Sequence, residues 1–506
     1  MSFTLRAPPT PGIAGITQKN VVPEQIARTC YTSKVICGSI RPLQLQLTKT
    51  VRPTGAVSAR RRTFRLTRHA AESANAGGPD GSSSTGDVQV APSTKEAFEI
   101  HKLLDAGLGS VMLVAATVLS LFLANSKVAA SYLHFWHTSV GPAALGLAMP
   151  IHHWVNEFLM AFFFFLVGLE IKKEFVSGSL RSLSKAILPC LGALGGMVVP
   201  MAIYFMLNLG AHGVPSGWAI PMATDIAFAM AIYGFFRHRM PGGVAAFLLT
   251  LATVDDLGAI AVIAVFFAKQ ISFQYLGAAV ALCAALYHLQ SQDAQGVQNL
   301  PVFASLGLLL WYCLLQGGIN ADIAGVATAM AIPSKSPVPE GSPVHEAHDG
   351  GAPVLMDHLI YKFTPWAALF IMPVFALANC AVPVDLTVLG SLIQAPVAHG
   401  IAAGLLLGKP IGITAFSLLG IKLGIASWPT GMTQKHLLTV GLLGGIGFTM
   451  SLFLIEQSLF GVTANIAKLA ILLTSAAAAL LGAGVMSTFE THDPSKTQTT
   501  GAWTEG

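Results

Sequence analysis

Long apolar runs recur along the chain from residue 105 to residue 487, separated by short polar breaks rich in Gly, Pro and Lys. A helix rises about 1.5 Å per residue, so crossing a hydrocarbon core about 30 Å thick takes about 20 residues. That measure predicts twelve helical spans, near 105–124, 152–171, 186–208, 218–236, 243–268, 272–289, 300–316, 318–333, 362–380, 396–421, 435–458 and 464–487. The pattern is that of an all-α polytopic membrane protein. Its transmembrane domain occupies 102–488 and a polar tail follows at 489–506.

Composition agrees with this pattern. Of 506 residues, 53% are hydrophobic and 10% charged, whereas about a quarter of residues are charged in soluble domains. If residue 102 starts on the inside, Lys172, Lys173, Arg181, Lys185, Arg237, Arg239, Lys335, Lys362, Lys422, Lys435 and Lys496 all fall on that side. The other side keeps mainly Lys127, Lys269 and Lys468. This asymmetry follows the positive-inside rule and places both termini on one side.

The net charge of +5 hides two unlike parts. In residues 1–70, twelve basic residues from Arg6 to Arg68 face a single acid, Glu24, so that segment carries +11 and leaves −6 for the remainder. Arg-rich, Ser/Thr-rich and acid-poor, without a continuous apolar core, it reads as an organelle transit peptide, for a plastid membrane such as the chloroplast envelope or for the mitochondrial inner membrane. A nucleic-acid role is disfavoured, because no aromatic residues interleave with the basic ones. Residues 71–101, with Gly77, Gly78, Pro79, Gly81 and Ser82 to Ser84, read as a disordered linker. The six cysteines have no metal-ligand or secreted-framework spacing and read as small core hydrophobes.

The candidate chemistry lies in charges at membrane depth, where one ionised group costs about 2.5–3.5 kcal/mol or more. Asp225 follows Thr224 and stands four residues after Pro221, which weakens a helix and frees carbonyls suited to a hard cation. Asp255 and Asp256 are adjacent, hence about 100° apart around a helix, and must face different surroundings. Lys409, in Gly408-Lys409-Pro410, is the one lysine in mid-span and the expected partner of Asp255, with Pro410 expected to break the helix after it. A hydrogen-bonded structural carboxyl is the plain alternative for Asp225.

Elsewhere the plain reading carries at least equal weight. Glu170 and Glu174 lie one turn apart beside Lys172 and Lys173, which fits a solvated helix end with local ion pairs at least as well as a cation funnel on the cytoplasmic side. Asp357, His358 and Lys362 read as solvated loop residues, and Asp322, near Asn320, as reaching the interface. Glu157 is a candidate for an outer vestibule, with His152 and His153 marking the water interface.

Five stretches in order carry a resemblance: Leu166-Val167-Gly168-Leu169-Glu170, Ala223 to Phe228, Val254-Asp255-Asp256-Leu257-Gly258-Ala259, Gly408-Lys409-Pro410-Ile411-Gly412 and Gly445-Ile446-Gly447-Phe448-Thr449-Met450. Together they resemble the NhaA family of sodium/proton antiporters over roughly residues 100–487. The resemblance implies inverted repeats, near 186–268 and 396–487, whose broken helices cross around Thr224 and Asp225 in one and Gly445 to Thr449 in the other. It implies Asp256 as the main sodium ligand with Asp225 and Thr224 nearby, Asp255 paired with Lys409, and a pH-responsive inner rim at Glu170, Glu174, Asp357 and His358. It also implies more than one proton per sodium and hence voltage sensitivity, no cofactor, sodium or lithium and protons as cargo, and a bilayer as surroundings, and it allows a homodimer. The chain departs from the family's habit at Asn320, where His is usual, and at Glu157, where Asp is usual.

Three other classes fit less well. A carrier of an organic solute needs recognition groups beyond carboxylates, one Thr and backbone. An intramembrane aspartyl protease needs a Gly-x-Gly-Asp context that neither Asp225 nor Asp255 has. A retinal protein, with Lys409 as Schiff base, is opposed by the twelve spans and by Pro410.

Overall fold

The computed structural model describes residues 107–268, 271–292, 300–333, 355–384 and 386–490. The expected transit peptide, the linker 71–101, nearly all of the Pro/Gly-rich loop at 333–353 and the tail from 491 lie outside the described residues.

The chain opens with α1 (Leu108–Ala124) and α2 (Ala129–His137), which meet at 113°. A two-residue antiparallel pair follows, β1 (Ser139–Val140) and β2 (Met149–Pro150). Next come α3 (Ile151–Val176), α4 (Leu183–Leu207), a broken span Pro215–Phe235 ending in α5 (Ile226–Phe235), and α6 (Gly242–Phe266). A second group comprises α7 (Phe273–Gln292), α8 (Leu300–Gln316) and α9 (Ile323–Ala331). Then follow α10 (Leu355–Asn379), α11 (Leu386–Gln394), α12 (Pro396–Lys422), the broken pair α13 (Gln434–Gly444) and α14 (Phe448–Ser458), and α15 (Gly461–Ser487).

Every expected span coincides with a helix, and the molecule is mostly helical. Among the described residues seven helices are long and apolar enough to cross a membrane, or nine if each bent pair counts once. The remaining three of the twelve, α7, α8 and α9, are helical but fall below that criterion; α9 has only 9 residues. Large apolar side chains such as Val118, Phe122, Val265, Phe266 and Leu480 are exposed, a surface that suits lipid and not water.

Several expectations are corrected. The kinked α2, the small β pair and α11 were not foreseen; they are short, and periodicity is weak over so few residues. Pro410 does not break its helix: α12 runs unbroken through it. The missing N–H and the bulk of its ring are absorbed one turn earlier, where Gly404–Gly408 form a π turn. Asp357, His358 and Lys362 stand on the first turns of α10 and not in a loop. Of the cysteines, Cys380 is buried, but Cys283 is exposed.

Close packing of α4 against α12 sets the frame for the site. Gly195 and Gly412 face each other so tightly that a Cβ on either would collide with the other's carbonyl, and one on Gly412 would also lie 3.0 Å from Val199 Cβ. A Cβ on Gly408 would lie 2.8 Å from Pro200 Cα, and one on Gly404 2.7 Å from Pro221 Cβ. Small residues at the seam let two backbones approach in a solvent that supplies no hydrophobic drive between helices. A second apolar core, around Leu169, Phe303, Leu310 and Trp311, joins α3 to α8 and α9.

Candidate functional site

Two helix breaks meet at the centre of the molecule. In the first, the turn Ile220–Met222 holds Pro221, and Ala223 and Asp225 are extended before α5 starts. In the second, Gly445 to Gly447 separate α13 from α14 with a bend of 45°. The breaks are hydrogen-bonded to each other: Asp225 N donates to Ile446 O at 2.7 Å, and Thr224 Oγ1 lies 3.0 Å from Gly444 O. Polar backbone freed from helices at membrane depth is satisfied here by the other break.

Asp225 caps both broken helices. Its Oδ1 accepts from Phe228 N at 2.9 Å, the usual N-cap bond for α5. Its Oδ2 accepts from Thr449 N at 3.1 Å and Thr449 Oγ1 at 2.5 Å, at the start of α14. One carboxylate thus sits at two helix N-termini, where the backbone dipoles favour negative charge. The next free amide of α14, Phe448 N, donates to Ser475 Oγ at 3.1 Å.

Asp255 and Asp256 lie mid-way along α6, and their different bearings around the helix give them different company. Lys409 Nζ forms an ion pair with Asp255 Oδ2 and donates to Thr224 Oγ1 at 2.8 Å, while Thr224 Oγ1 lies 2.6 Å from Asp255 Oδ2. Thr224 is therefore bonded to both members of the Asp255–Lys409 pair. Lys409 and Asp255 are both 0% exposed, so this is a fully desolvated pair. Asp256, 2% exposed, feels the charges of Asp255, Asp225, Glu170 and Lys409. Asp255 Oδ1 and Asp256 Oδ1 are buried without a hydrogen-bond partner among the described residues. Three buried carboxylates and one lysine thus gather where the two helix breaks meet α6 and α12.

The inner-rim candidates are only partly brought together. Lys173 pairs with Asp357 at 2.8 Å, joining α3 to α10, and Glu174 Oε2 accepts from Ser179 N at 2.8 Å. The expected local ion pairs of Lys172 are absent among the described contacts. Its ammonium is buried, donating to Met330 O at 2.6 Å and to Ile332 O, so it caps the C-terminus of α9. Glu170 is half-buried on α3. At the other end of α3, Asn156 and Asn379 bond amide to amide at 3.1 and 2.7 Å, and Glu157 is buried.

The roles of Thr449, Ser475 and Lys172 were not foreseen. Thr449 stood within a quoted motif, yet its hydroxyl gains a partner only from a residue 224 positions away. Ser475 and Lys172 have no local signal. Asp322 is buried at 3% exposure and does not reach the interface. Among the described residues no cluster of three or more His, Cys, Asp or Glu is arranged to hold a resident metal.

Crossed broken helices around buried carboxylates, within a lipid-facing helical shell, define the class: this is an integral membrane carrier. The chain matches the family described as Na+/H+ antiporter 1 over residues 102–486, and it belongs to that family. It is 39% identical over 417 residues to Na(+)/H(+) antiporter NhaA 2 of Syntrophotalea carbinolica, covering 75% of this chain and 93% of the relative. It is 41% identical over 382 residues to Na(+)/H(+) antiporter NhaA of Shewanella sp. strain ANA-3, covering 74% and 93%. Among solved structures, the sodium proton antiporter MjNhaP1 of Methanocaldococcus jannaschii aligns at 15% identity with a TM-score of 0.41, over 76% of this chain and 99% of that one. A match that distant adds nothing to the assignment.

Proposed function

We propose that this protein is a secondary active transporter that exchanges sodium, with lithium as a second cargo, for protons across its membrane. The observation that carries this reading is the buried, unbonded Oδ1 of Asp256 beside two further carboxylates and a single lysine. Three acids and one base leave room for one sodium or for protons in its place, and a desolvated site does not tolerate the surplus charge bare. Membership of a family whose relatives carry sodium/proton antiporter names supports the same cargo.

Asp256 is the principal sodium ligand. Asp225 contributes the lone pairs left after its capping bonds, and Asp255 is held aside by Lys409 and Thr224. Sodium arriving at Asp256 draws on the negative charge that Lys409 shares, loosens that pair and releases protons; reprotonation reverses the sequence. Rocking of the glycine-lined α4 and α12 frame alternates the open side. With more than one proton moved per sodium, exchange is electrogenic. Glu170, Glu174 and the Lys173–Asp357 contact with His358 form a rim that sets pH response from the inner side. No resident cofactor takes part, and two copies associate as a dimer. Residues 1–70 direct the chain to a plastid or mitochondrial membrane, where it contributes to sodium and pH homeostasis.

Asp256→Asn in reconstituted vesicles tests the assignment. Sodium-driven proton movement is expected to fall to background while the protein still folds. Exchange at the wild-type rate by that variant overturns it.

A further inference from the structure

The cluster at the crossing is not the whole of the buried acid. The N-terminal half of α3 contains a π turn, Val155–Leu159, bearing Glu157, and α9 is preceded by Asp322 as its N-cap residue. The helices run side by side in the same direction. A Cβ on Gly325 would lie 2.8 Å from Phe165 N and also collide with the Ala161 carbonyl, and one on Gly168 would lie 2.8 Å from Ala329 Cβ. One turn back from the Gly325–Ala161 contact, the register brings Asp322 beside Glu157, and each carboxyl feels the other's charge. Both are 3% exposed.

Neither oxygen of Asp322 has a hydrogen-bond partner among the described residues, and Asp322 makes no cap bond to its own helix. Its side chain lines a cavity of about 10 Å³ with Phe164, Ile260, Ile263, Val326 and Phe453, the size of a single water at most. The groups that α6 and α14 bring to this cavity are apolar. From α8, Trp311 Nε1 donates to the Glu157 carbonyl at 2.9 Å; from α10, Asn379 engages Asn156. The ionisable neighbour toward the surface is His153, whose Nε2 is 3.8 Å from Glu157 Oε1 and whose side chain is 35% exposed. Ile260 and Ile263 lie one and two turns beyond Asp256 along α6, so the cavity under Asp322 is offset from the exchange site along that helix.

We propose that Glu157 and Asp322 form a second, separate carboxyl site that binds one proton between them, in contact with the surface through His153. Two carboxylates cannot both stay ionised side by side in a dry seam, and a proton on one supplies the hydrogen bond that Asp322 lacks. The O–H donor is one carboxylic acid and the acceptor the other carboxylate, so the pair carries a single negative charge and no bond to carbon changes. Its purpose, holding a proton offset from Asp256, rests on the exchange function proposed above; its occupancy does not.

The test is the pH dependence of thermal unfolding of the full chain in detergent, comparing wild type with Asp322→Asn and Glu157→Gln. A shared proton stabilises the folded wild type and is lost as pH rises, whereas each variant carries at most one charge there at any pH. Each variant's melting temperature is therefore expected to gain on the wild type as pH rises from about 5, just above the ordinary carboxyl range, to about 9, by on the order of 2 °C or more in all. If Asp322→Asn does not fold, Glu157→Gln yields the same comparison. A difference that stays constant across this range overturns the site. Unfolding needs no transport, so a wild type that shows the pH signature but no sodium-driven proton flux sinks the exchange function and leaves the proton site standing.

Discussion

Lys409 shows how much a single buried side chain carries. It is the sole positive partner among the described contacts of Asp255, and it also orders Thr224, whose hydroxyl reaches the break beside Gly444. Removing one member of a fully buried pair leaves an uncompensated charge, at about 3–5 kcal/mol. Lys409→Ala is therefore expected to melt at clearly lower temperature, and Lys409→Ala with Asp255→Asn to recover much of the loss. A double variant no more stable than the single one removes the pair as the cause. That Asp255 and Asp256 face different surroundings was legible from helix geometry, and the choice of Lys409 from its being the one lysine in mid-span. That Asp225 saturates the starts of two helices was not, because Thr449 lies in a distant segment and its hydroxyl is ordinary in sequence.

The helices themselves show where sequence signals fail by their nature. Long apolar runs marked all the spans, but the kink in the first, the π turn before Lys409 and the burial of Asp322 depend on what packs alongside. Glycine offers the sharpest test of element packing. Gly412→Ala sets a Cβ against the Gly195 carbonyl and Val199, rigid backbone and a branched side chain that cannot yield. A loss of about 1–3 kcal/mol is expected, seen as a lower melting temperature. Gly484→Ala, where a Cβ meets nothing within 4 Å, serves as the control and is expected to be close to neutral or stabilising. Equal effects at both positions contradict the close α4–α12 seam.

For the whole molecule, the basic, acid-poor residues 1–70 and the membrane domain are separate in composition. A fluorescent protein fused after residue 100 is expected to accumulate in plastids or mitochondria, and a diffuse cytosolic signal refutes the targeting role. Residues 102–486 align with a family of antiporters, a span that starts only where the apolar pattern starts.

By itself the sequence determined the membrane as solvent, the helical class, the family and the identity of the costly charges. Each of these follows from local composition, from period, or from short motifs whose order is preserved along the chain. Only the tertiary structure decided which oxygens are satisfied among the described residues: Asp225 by two helix starts, Asp255 at Oδ2 alone by Lys409 and Thr224, and Asp255 Oδ1, Asp256 Oδ1 and both oxygens of Asp322 left unbonded. Hydrogen bonds and burial at membrane depth are made between segments far apart in sequence, so no local pattern encodes them.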